Sequence, residues 1–154
     1  MSTTREALTE ALKDAMKARD SRAVSTLRMI MAKLKDKDIE ARGLGNPGGV
    51  DESAVLAALQ GMVKQRRESI ELYQQGGRDD LVAAESAEIA VIERFMPKQM
   101  DQAATEAAIK GLIAEIGAAG IKDMGRTMAA LRERYAGQMD FGKASAMVKT
   151  ALTT

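Results

Sequence analysis

The chain is expected to be all-α: an N-terminal antiparallel helical domain of about four helices followed by a small three-helix tail domain. Three observations predict this class. Apolar residues recur three and four apart, as in Leu8, Leu12 and Met16 or Leu56, Leu59 and Val63. An aspartate stands before most periodic segments, at Asp20, Asp51, Asp101, Asp123 and Asp140, where its carboxylate can accept from the free N–H groups of a helix start. No segment keeps the strict alternation of a half-buried strand.

The first helix is expected from about Thr4 to Arg19, with Leu8, Leu12 and Met16 inward. Asp20 and Ser21 break the chain and cap a second helix, which turns Val24, Leu27, Met31 and Leu34 inward and continues to about Arg42. Lys33, Lys35, Asp36, Lys37 and Asp38 fall on its outer side and read as a solvated face. The run Gly43-Leu44-Gly45-Asn46-Pro47-Gly48-Gly49 is a flexible loop. It is no phosphate cradle, because a P-loop needs a preceding strand and a Gly-Lys-Ser/Thr ending. Asp51 caps the third helix and Gly76-Gly77 stop it, while Asp79 and Asp80 place negative charge at the start of the fourth.

Pro97 is expected to end the fourth helix, since the residue before a proline is pushed out of the α region. The domain boundary is placed there, giving residues 1–96 and 97–154. In the tail, Asp101 opens a helix from about Gln102 to Ile116, with Ala108, Ile109, Leu112, Ile113 and Ile116 inward. Gly117-Ala118-Ala119-Gly120 ends it. Asp123 opens the next, with the stripe Met124, Met128, Leu131 and Tyr135, and Asp140 opens the last, burying Phe141, Ala144, Val148 and Leu152.

The third and fourth helices carry charge inside their apolar stripes. Arg66 falls among Leu56, Leu59, Val63 and Ile70, with Arg67 at the edge; Glu85 and Glu88 fall among Leu81, Ile89, Ile92 and Phe95. An unpaired charge in a core costs several kcal/mol, roughly, so the two arginines are expected to meet the two glutamates across a helical hairpin. Two readings stay open: a structural ion cluster that fixes register, or a recognition site for a charged ligand between the helices.

Composition narrows the function. Lys and Arg number 23 against 22 Asp and Glu, so the net charge of +1 gives no global attraction to nucleic acid or membrane. Residues 97–154 are slightly basic, with 8 cationic and 6 anionic side chains. The absence of cysteine and histidine removes Cys nucleophiles, disulfides, His bases and nearly all zinc chemistry. No serine falls in a nucleophile motif, and arginine partners would keep Glu85 and Glu88 ionised and unsuited to donating protons. No catalytic residue, metal or cofactor is therefore expected. No apolar run approaches the roughly 18 residues of a membrane span, and Thr3-Thr4-Arg5-Glu6 does not open an apolar signal core; a cytoplasmic protein is expected. Eleven methionines and four aromatic residues imply a pliable aliphatic core with little material for stacking on bases.

Two tail helices start alike, Asp123-Met124-Gly125-Arg126 and Asp140-Phe141-Gly142-Lys143. Glycine in a first turn costs about 1 kcal/mol against alanine, so a close approach by a neighbouring backbone or by a ligand is expected there. One reading is tight helix packing. The other is phosphate held at the helix N-termini beside Arg126 and Lys143.

These stretches also carry a resemblance. Leu27-Arg28, Lys64-Gln65-Arg66-Arg67-Glu68-Ser69-Ile70, Arg78-Asp79-Asp80-Leu81 with Glu85 and Glu88, Phe95-Met96-Pro97, Lys122-Asp123-Met124-Gly125-Arg126-Thr127-Met128 and Gly142-Lys143 together resemble the YqeY-like proteins. Those are similar to the C-terminal helical and tail region of the GatB subunit of the aspartyl/glutamyl-tRNA amidotransferase. The resemblance covers nearly the whole chain and implies the two-part helical fold. It implies association with tRNA, and it brings none of the nucleotide-binding or glutamine-hydrolysing parts of the amidotransferase. The leading expectation is a tRNA-associated accessory protein that grips RNA by shape and phosphates through Lys122, Arg126, Lys143 and Lys149, helped by Lys64 or Arg67. The alternatives are a module docking on an amidotransferase or synthetase assembly, and a non-autonomous part of a carbon-nitrogen ligase that uses glutamine as amide donor.

Overall fold

The computed structural model describes residues 3–153. Among them the chain is all-helical, with seven α-helices, one 3₁₀ turn and no strand. It divides into two compact units between Met96 and Pro97.

The first unit holds α1 (Thr4–Lys17), α2 (Ser21–Gly43), α3 (Glu52–Gln75) and α4 (Asp79–Glu93). The Thr3 hydroxyl caps α1 by accepting from the Glu6 N–H at 3.2 Å. The helix stops at Lys17, two residues short of the expected Arg19. Arg19 turns the chain with a left-handed φ of 56°, and Asp20 Oδ1 caps α2 by accepting from the Ala23 N–H at 3.1 Å. Leu8 and Ala15 are the buried residues of α1, with Ala11 and Leu12 packed beside them. Met16, expected inward, is 51% exposed, because it lies one residue and about 100° around the helix from Ala15.

Leu27, Ile30 and Leu34 of α2 meet Val55, Leu59, Met62 and Val63 of α3 in one core, and Ile92 closes it from α4. Each long helix thereby buries one stripe at helical spacing. At the far end of α3 the N–H of Arg78 reaches the Tyr73 carbonyl, and Gly77 takes a φ of 69° to reverse the chain. The fourth helix ends at Glu93 rather than at Pro97. Its last turn tightens, with the Phe95 N–H on the Ile92 carbonyl and the Met96 N–H on the Glu93 carbonyl, both at 3.1 Å.

The solvated face expected of α2 is corrected at Asp38, which is buried. Arg5 of α1 grips it in a bidentate pair, Nη1 to Oδ2 at 3.0 Å and Nη2 to Oδ1 at 2.6 Å, and the Val50 N–H donates to Oδ1 at 2.9 Å. The pair fixes both the antiparallel register of α1 on α2 and the far end of the glycine-rich loop. Gly49 makes the loop's return feasible: its φ is 78°, and a Cβ there would stand 2.5 Å from Asp38 Oδ1. Gly49→Ala is expected to destabilise the protein by more than about 1 kcal/mol in chemical denaturation, from the left-handed backbone alone. The same change at Gly61, in mid-helix with open space around it, should stabilise.

Arg5 and then the Val50 N–H hold the Asp38 carboxyl below the usual aspartate range. A depressed folded value means that the ionised form favours the fold. Its contribution is complete above the ordinary aspartate pKa of about 3.9 and is lost as pH falls through the lower folded value. Thermal melts between pH 3 and pH 6 should show the wild type losing more stability on acidification than Asp38→Asn.

The second unit holds α5 (Gln102–Ile116), a 3₁₀ turn (Ile121–Asp123), α6 (Met124–Arg134) and α7 (Phe141–Thr153). Asp101 Oδ1 caps α5 on the Ala104 N–H at 2.7 Å. Gly117 ends that helix with a φ of 67°, which lets the Ala118 N–H reach back to the Ile113 carbonyl at 3.1 Å. Ile109, Leu112, Met128, Leu131, Ala144, Val148 and Leu152 form the core, joined by Met139 from the loop before α7.

Candidate functional site

Two groups of charged residues are candidates, one in each unit. In the first, α3 buries Met62 and Val63, and Arg66 follows one turn later with its side chain only 11% exposed. Three helices receive it. Its Nε donates to Glu88 Oε2 of α4 at 2.8 Å, its Nη1 to the Met62 carbonyl of its own helix at 3.1 Å, and its Nη2 to the Met29 thioether of α2. Glu85 Oε2 lies 3.9 Å from Nε, at the limit of an ion pair. Every nitrogen of the guanidinium thus has a partner within the protein.

Arg67 does not join this cluster. A step of about 100° around α3 turns it outward, where it pairs with Glu93 at 2.9 Å and is 64% exposed. Its expected meeting with Glu85 and Glu88 is therefore corrected. Lys64 is exposed on the same helix.

In the second unit the two similar helix starts differ. Asp140 caps α7 through Oδ1, which accepts from the Gly142 N–H at 2.9 Å and the Lys143 N–H at 3.2 Å. Asp123 makes no such cap on α6. Its Oδ2 instead accepts from the Ala119 N–H at 2.8 Å, and its Oδ1 meets Arg126 at 3.2 Å. The Ala119 N–H first, and Arg126 beside it, hold this carboxyl below the usual aspartate range. Among the described residues, no neighbouring backbone makes the close approach expected at the two glycines. A Cβ on Gly125 would meet nothing within 4 Å, and one on Gly142 would meet only its own cap, Asp140 Oδ1, at 3.2 Å. Neither glycine marks tight helix packing.

Arg126, the other arginine candidate, also serves the fold. Its Nη1 donates to the Ile116 carbonyl at 3.0 Å, so it closes the C-terminal end of α5 where a cation is favoured. It positions the corner between α5 and α6 while its side chain stays 55% exposed. Lys122, Lys143 and Lys149 are exposed, and among the described residues none of them forms an ion pair. Five of this unit's six carboxylates accept hydrogen bonds, Glu106 from Gln102 Nε2 at 3.3 Å. Asp101 and Asp140 cap helices, Asp123 serves the 3₁₀ turn, and Glu115 takes both Nη groups of Arg134, at 2.5 and 2.6 Å. Burial of Asp38 and the occupation of Arg126 were missed in the sequence. The first had a signal, because Asp38 continues the stripe Leu27, Leu34 at helical spacing; the second had none, because it depends on where α5 ends.

Comparison with known proteins places this chain. The family model described as Yqey-like protein matches residues 5–152. The chain is similar to proteins named Altered inheritance of mitochondria protein 41, mitochondrial. It is 38% identical to that of Eremothecium gossypii over 58% of this chain and 46% of that protein. It is 31% identical to that of Lachancea thermotolerans over 71% and 57%, and 32% identical to that of Saccharomyces cerevisiae over 55% and 44%. The chain thus spans about half the length of the curated relatives it matches. Their names overturn the expectation of a cytoplasmic protein, which rested on the lack of an apolar signal core. That criterion is blind to the amphipathic, Arg-rich and Ser-rich segments that direct proteins to mitochondria. With nearly the whole sequence matched by the family model, the chain belongs to the YqeY-like protein family.

Proposed function

We propose that the protein is a tRNA-associated accessory factor that holds RNA by its phosphates through Lys122, Lys143 and Lys149. The observation that carries this reading is the charge distribution of the second unit: its three candidate lysines are exposed and, among the described residues, without an ion pair, while most of its carboxylates are turned to backbone N–H groups or arginines. The family resemblance to the amidotransferase tail region supports the choice of tRNA as the polyanion. Two Phe and two Tyr in the whole chain leave few platforms for bases, so recognition rests on backbone and shape, and sequence tolerance follows.

Three phosphate contacts should give a log–log dependence of affinity on salt with a slope of about −2 to −3. The test is a titration with bulk tRNA at several salt concentrations, for the wild type and for the combined Lys122→Ala, Lys143→Ala and Lys149→Ala variant. Binding at low salt with that slope, and a slope near zero in the variant, is the expected result. No binding at low salt, or an unchanged slope in the variant, contradicts the reading.

A further inference from the structure

The first unit contains an open groove of about 460 Å³ between α2 and α3. Its floor is α3, which presents Ala54, Ala58 and Gly61 at spacings of four and three, so small side chains leave the helix backbone open over roughly 10 Å of its length. A Cβ on Gly61 would meet nothing within 4 Å. The opposite rim is α2, where Lys33 and Lys37 stand one turn apart, exposed and, among the described residues, without an ion pair. An apolar trough floored by alanine and glycine suits the close approach of another helix, with axes about 8 Å apart. Two free ammonium groups on one rim select the sign of the incoming chain.

We propose that this groove docks an acidic amphipathic helix of a partner protein, whose apolar face lies along Ala54, Ala58 and Gly61 and whose carboxylates, one turn apart, meet Lys33 and Lys37. A basic helix would bring like charges together on the rim and is rejected. The surface belongs to the first unit, so it stands or falls independently of the RNA contact.

The test uses the full chain and a displayed library of 20-residue helical peptides with a fixed Leu/Ala face and randomised Glu, Lys, Gln and Ser at the flanking positions. Selection is on the wild type with counter-selection on Gly61→Leu, which fills the trough while replacing glycine by a better helix former and so keeps the fold, as thermal melting verifies. The expected winners carry paired acidic residues one turn apart and bind Gly61→Leu at least about tenfold more weakly. The Lys33→Glu/Lys37→Glu variant should prefer the lysine-bearing peptides instead. Failure to enrich any peptide over Gly61→Leu, enrichment without preference for acidic residues, or an unchanged preference in the charge-reversed variant overturns the proposal. Self-association of the wild type that Gly61→Leu abolishes, in place of peptide binding, overturns it in favour of a second copy of the chain.

Discussion

Arg66→Met should lower the stability of the first unit by about 2–3 kcal/mol. Methionine keeps most of the side-chain volume and its apolar stem, so the loss is electrostatic. Glu88 and Glu85, 35% and 23% exposed, would be left facing each other with no cation between them. Stripping one partner from a fully buried pair costs about 3–5 kcal/mol, and the partial access of water to both glutamates places this case lower. Equilibrium urea denaturation reads the change directly. Combining Arg66→Met with Glu88→Leu should recover much of the loss, because a pair replaced on both sides by apolar groups is often near neutral. Reversing the pair, as Arg66→Glu with Glu88→Arg, should recover less. The Met62 carbonyl and the Met29 sulfur accept from the arginine in the native arrangement and offer nothing to a carboxylate.

The second large effect is expected at Ile92, the only buried residue of α4. It is 0% exposed and is the point at which that helix enters the core shared by α2 and α3. Ile92→Ala should cost about 2–5 kcal/mol, by lost transfer energy and by the cavity left behind. Leu81→Ala, on the same helix but only half-buried, should cost markedly less. The contrast tests the claim that α4 is held by its C-terminal half and by Arg66, with its first turns contributing little. A loss at Leu81 equal to that at Ile92 would contradict it.

Much of this architecture is written locally in the chain. Asp51, Asp101 and Asp140 each stand where a helix begins and each caps it, because capping needs only one carboxylate and the next three residues. The stripes of α2, α3 and α5 are likewise local. What could not be read depends on contacts between distant segments. Arg66 and Glu88 could be paired from their stripes because both periodicities were intact. Arg67, one residue on, found Glu93 instead, and only the crossing of α3 with α4 decides between Glu88 and Glu93. Asp38 sat in a run of alternating charge that masked its place on the buried stripe, and its partner Arg5 lies 33 residues away. Asp123 and Asp140 share their wording, yet the 3₁₀ turn before α6 draws Asp123 to Ala119. The lysines remained candidates because an exposed cation on a helix carries no mark of what it meets.

The proposed division of labour between the units is that Arg66 holds three helices together, whereas RNA would be met by the exposed lysines of the second unit. One pair of measurements on Arg66→Met tests it most directly, urea denaturation and tRNA affinity at a temperature where the variant is folded. A stability loss of about 2–3 kcal/mol with affinity within about twofold of the wild type is the predicted result. Unchanged stability with a tenfold or greater drop in affinity would contradict it, and would make the arginine a ligand contact rather than a joint in the scaffold.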